Sequence, residues 1–103
     1  NGRFYDFENY HMTDVWVPWI DAGRVMVFAI DTIDQETWSN VDGDPGWRSW
    51  QHERWMSFIC DEIVPFIRAM VNDRNGWTGY PGVIAFGCSL GATHASNLFF
   101  RHM

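Results

Sequence analysis

Two uninterrupted apolar runs, Val25-Met26-Val27-Phe28-Ala29-Ile30 and Val83-Ile84-Ala85-Phe86, constrain the fold of this chain more than any other feature. Neither run alternates apolar with polar residues. A half-buried strand alternates, because successive side chains point to opposite faces. A run that is apolar throughout fits a strand covered on both faces, as in a parallel sheet. Between the runs, residues 48–72 carry a helical stripe of Trp55, Ile59, Ile63, Ile67 and Met70, widened by Phe66 and Val71. Pro65 is expected to kink or split that helix. Residues 90–101 read as a last helix. Thr13 is placed to cap a short helix over residues 14–22, which Pro18 distorts and Gly23 stops. Residues 1–12, 31–47 and 73–82 read as loops. The order helix, strand, helix, strand, helix predicts an α/β fold. Its parallel strands fall at about 25–30 and 83–87, with a crossover helix at about 48–72 and an elbow helix at about 90–101. Function in such sheets gathers at the C-terminal ends of strands. Asp31 and the turn after Phe86 occupy those ends.

Composition narrows the function classes. The 103 residues suit one domain, and 47% hydrophobic content with seven Trp and eight Phe excludes a disordered linker. A net charge of −6 without any Arg cluster argues against nucleic acid or an anionic membrane surface as partner. The apolar runs are too short to span a bilayer. Cys60 and Cys88 have no companion at metal-ligand spacing and read as buried thiols, which favours a reducing, cytoplasmic compartment. Nothing calls for a metal or cofactor. Asn40, Asp42 and Asp44 fall short of a calcium loop, because Pro45 stands where that loop needs Gly and Gln51 where it needs Glu.

Gly87-Cys88-Ser89-Leu90-Gly91 is a G-x-S-x-G run between an expected strand and an expected helix. That context is the one a nucleophile elbow demands. The serine occupies a sharp turn, so Gly87 and Gly91 remove bulk beside it. The following helix aims free N–H groups and a positive dipole end at the reacting centre, and the Leu90 N–H is placed to bind an oxyanion. The alternative is a glycine-rich turn whose serine merely caps the helix.

The blocks Arg3-Phe4-Tyr5-Asp6-Phe7-Glu8-Asn9-Tyr10, Asp31 through Asn40, and Gly87 through Leu98 together resemble the esterase D-like and feruloyl esterase-like branch of the α/β-hydrolases, which also takes in mycolyl transferases. The resemblance implies a Ser–acid–His triad with Ser89 as nucleophile. It further implies a second oxyanion donor from the loop matched by Gly2-Arg3, namely the Arg3 N–H. Two departures stand out. His11 lies where a small residue is common, and the Pro-Asp that commonly follows a pair like Arg101-His102 is absent.

A serine needs a base within hydrogen-bond reach, and in this fold acid and His follow the serine in the chain. Only His94 and His102 follow Ser89. Both ride the helix away from it, His94 more than about 7 Å down the axis. The triad's acid and base are therefore expected outside residues 1–103. The chain reads as a single incomplete domain, a fragment that alone should turn over no p-nitrophenyl acetate. Trp38, with Trp47 and Trp50, could wall a substrate pocket, Asp31 could supply a strand-end carboxylate, and His11 could sit at the rim. Asp34 with Glu36 finds no further support as an acid/base pair.

The function expected is hydrolysis of a small-molecule or glycan-linked carboxylic ester through an acyl-enzyme on Ser89. An acyltransferase of the same fold is one alternative. A Trp-rich, non-catalytic carbohydrate-binding module is the other. The oligomeric state is left open.

Overall fold

The computed structural model describes residues 3, 5–76 and 81–102. Gly2 and Phe4 of the expected family resemblance, and residues 77–80 of the expected 73–82 loop, lie outside them. Helix α1 covers Asp6–Asn9, α2 Met12–Asp21, α3 Pro45–Phe58, α4 Val64–Asn75 and α5 Leu90–Asn97. A π-helical turn, Ile59–Ile63, joins α3 to α4, and another, Leu98–His102, extends α5.

The described residues contain no β-strand, so the expected α/β-hydrolase sheet is not formed. Residues 25–33 and 81–87 are neither helix nor strand. The physical reason lies in what a doubly covered strand requires. It needs a hydrogen-bonded neighbour along its edge and apolar cover on both faces. Two short runs far apart in sequence supply neither. Ile84 is 81% exposed and Phe86 50%, the opposite of a buried strand.

The helical expectations fare differently. Helix α3, the π turn and α4 together span the expected crossover helix. Asp44 starts it rather than residue 48: its carboxylate accepts the Trp47 N–H at 2.7 Å, and Pro45 follows at the first position, where a missing N–H costs nothing. The break expected at Pro65 takes the form of the π turn just upstream. Pro65 itself falls at the start of α4. Gly23 ends α2 in the left-handed region (φ 70°), with the Arg24 N–H reaching back to Trp19 O at 3.0 Å. Thr13 does not cap α2. His11 does, at φ 56° and without a side-chain hydrogen bond. Residues 6–9, expected as loop, are α1.

The apolar core is small. Among the described residues its buried side chains are Met56, Ile59 and Val64, all from the α3–π–α4 rod. The radius of gyration, 15.2 Å, exceeds the about 13 Å of a compact domain of this size. The best-buried polar contact instead joins α5 to the loop after the first apolar run.

Candidate active site

Ser89 stands immediately before α5 with φ 54° and ψ −121°. Positive φ is unfavourable for any residue carrying a Cβ, so this turn stores strain on the order of 1–3 kcal/mol. Its backbone is committed to starting the helix: the carbonyl accepts N–H groups of Ala92 at 3.0 Å and Thr93 at 3.4 Å, while Gly91 N–H donates to Cys88 O at 2.8 Å. Its hydroxyl makes no capping hydrogen bond, which removes the alternative of a serine that merely caps. The residue is exposed, as is Cys88 beside it. The Leu90 N–H donates to no backbone acceptor among the described residues. It therefore points out of the helix start as a free donor.

The two glycines of the run differ. A Cβ at Gly87 would overlap the Gly91 backbone, so glycine is required there by close approach. A Cβ at Gly91 would meet open space. The sequence assigned both the same role; the steric demand falls on Gly87.

None of the four histidines is poised as a base for Ser89. His94 is 4% exposed, and its Nε2 lies 2.8 Å from Asp34 Oδ1. An ionised carboxylate only accepts, so Nε2–H is the donor. His102 Nε2 lies 3.7 Å from Glu53 Oε2. His11 is exposed, its Nδ1 3.7 Å from Asp14 Oδ2. His52 is buried within α3, and neither of its ring nitrogens has a partner among the described residues.

Asp34, His94 and His52 form a buried polar cluster. The second oxygen of Asp34 accepts the Thr32 hydroxyl at 2.7 Å. The His52 and His94 rings lie 5.3 Å apart, and Trp55 meets His94 edge-on at 5.0 Å. Burial is the first cause that lowers the His52 pKa, followed by His94; Glu53 and Asp34 oppose it. The loop carrying Asp34 is itself braced. Arg48 donates to the carbonyls of Thr37 at 2.7 Å and Trp38 at 3.2 Å, and Ile33 O accepts the Thr37 N–H and hydroxyl. Nothing in the sequence marks this cluster as a unit; His94 is singled out only by its bulk among the small residues at 91–96.

The remaining expected site residues do not gather at Ser89. The Arg3 N–H donates to the Asp6 carboxylate at 3.2 Å, where it starts α1 instead of standing free as a second oxyanion donor. Its guanidinium lies 3.9 Å from Asp31 Oδ2. Trp38 stands edge-on to His52 at 6.0 Å, over the buried cluster. Trp50 carries Arg54 against its ring face at 4.7 Å. An open cleft of about 830 Å³ runs between residues 31–33 and α3, lined in part by Asp31, Trp50, Trp55 and Asp61. No residue of the Ser89 turn lines it, nor does Trp38. The described residues hold no cluster suited to a metal ion, and no helix among them is long and apolar enough to cross a membrane.

Chemically, the Ser89 turn offers an exposed hydroxyl, a free N–H one residue on, and the positive end of α5. Those groups can receive a carbonyl carbon and its oxygen. They cannot by themselves take the serine proton. Comparison with known proteins adds no relative: no family model, no curated protein and no solved structure matches this chain.

Proposed function

We propose that Ser89 is the nucleophile of a carboxylic-ester hydrolase whose acid and base come from outside residues 1–103. The observation that carries this reading is the Ser89 backbone, a non-glycine residue at φ 54° whose exposed hydroxyl bonds to no helix N–H. A serine that only starts a helix adopts negative φ and caps with its side chain. Strain kept without a capping bond suits a side chain that must face a reactant. The resemblance read from residues 3–10, 31–40 and 87–98 to esterase sequences points to the same chemistry. Ser89 Oγ attacks the ester carbonyl as its proton passes to the external base. The Leu90 N–H holds the oxyanion, and the alcohol leaves with that proton. Water then releases the acid. The substrate class is a small-molecule or glycan-linked ester.

The test is a burst experiment with p-nitrophenyl acetate on the full-length polypeptide that contains these residues. The expected result is a stoichiometric p-nitrophenol burst with acetyl on the Ser89 peptide by mass spectrometry. Acetyl on another residue, or turnover surviving Ser89→Ala, contradicts it.

A further inference from the structure

We propose that Asp34 and His94 are positioning residues that hold the Ser89 turn in its reacting geometry, an inference that rests on the nucleophile reading above. His94 is the only buried residue of α5. It follows Ser89 by five positions, so whatever fixes its imidazole fixes the first turn of the helix and the Leu90 N–H with it. What fixes it is Asp34, sixty positions upstream and 9% exposed at the side chain. Asp34 cannot yield easily: Thr32 holds its other oxygen, and Arg48 pins the carbonyls three and four residues on. Trp55 and His52 close around the ring.

The far end of α5 has a second tether, Arg101 Nη1 to Glu53 Oε1 at 2.9 Å. Its side chains are 53% and 42% exposed, so solvent screens it and it constrains little. Of these two tethers on α5, the buried pair is the one that solvent does not screen. A reacting group displaced by about 1 Å can lose on the order of 100-fold in rate, which gives the clamp a function separable from stability.

The experiment measures the second-order rate of fluorophosphonate labelling at Ser89 in the full-length polypeptide. Wild type, Asp34→Ala, Asp34→Asn, Arg101→Ala and Val64→Ala are compared, each with its thermal midpoint. Asn keeps an acceptor for His94 Nε2–H. The expected result is a loss of roughly 10-fold or more in Asp34→Ala, recovery in Asp34→Asn, and wild-type rates in Arg101→Ala and in the core variant Val64→Ala at temperatures where each is folded. Equal rates in wild type and folded Asp34→Ala overturn the positioning role while leaving the nucleophile intact. Equal loss in Val64→Ala shows a stability effect only and overturns it too. If Asp34→Ala does not fold, an Asp34→Asn rate as low as that of Ser89→Ala overturns it. Unlabelled wild type removes the nucleophile reading and this inference with it.

Discussion

His94 Nε2 donates to Asp34 Oδ1 across 2.8 Å, with both side chains buried and sixty positions of chain between them. Replacing His94 by Ala leaves that carboxylate oxygen without its donor in a site closed by Trp55 and His52. The expected cost is about 1–3 kcal/mol, read from urea denaturation. Arg101→Ala, which breaks a half-exposed pair, is expected to cost about 0–1 kcal/mol.

Stability should depend on pH through His52. Burial, then His94, lowers its folded pKa from the ordinary 6.5. The unfolded chain therefore binds the proton first. Stability is full above pH 6.5 and is lost as pH falls toward the folded value. Denaturation midpoints measured across that window should fall with pH in wild type and fall less in His52→Phe.

The two glycines of the turn should respond oppositely. Gly87→Ala drives a methyl group into the Gly91 backbone, with an expected cost of about 1–3 kcal/mol. Gly91→Ala enters open space at the second residue of a helix and is expected to be neutral or stabilising by up to about 1 kcal/mol. Paired chemical denaturation of the two variants checks this.

Ser89 strain gives a further contrast. Ser89→Gly relieves the positive φ and is expected to stabilise by on the order of 1 kcal/mol. Ser89→Ala retains the Cβ and should not. Both should abolish acylation. A thermal scan beside a burst assay separates strain from chemistry.

The cysteines should differ in alkylation. Cys88 is exposed on the turn, whereas Cys60 is partly buried and its thiol pKa is raised by burial and by Asp61. Iodoacetamide followed by peptide mass mapping is expected to modify Cys88 first.

The longer helices were legible because their signals are local, whereas the single turn of α1 was not. The stripe from Trp55 to Met70 and the left-handed stop at Gly23 depend only on near neighbours. The strands were not, because Val25–Ile30 and Val83–Phe86 report what a segment would bury, and burial needs partners that sequence spacing cannot guarantee. The Ser89 turn was readable for the same local reason, through Gly87 and the helix start. The Asp34–His94 contact was not, since nothing in a single sequence ties two polar residues sixty positions apart.

A nucleophilic Ser89 should react with a fluorophosphonate probe, and intact-mass analysis of the treated full-length polypeptide reads this. The expected result is one adduct, mapped to the Ser89 peptide and lost in Ser89→Ala. A full-length protein that remains unmodified, or an adduct that persists in Ser89→Ala, contradicts it.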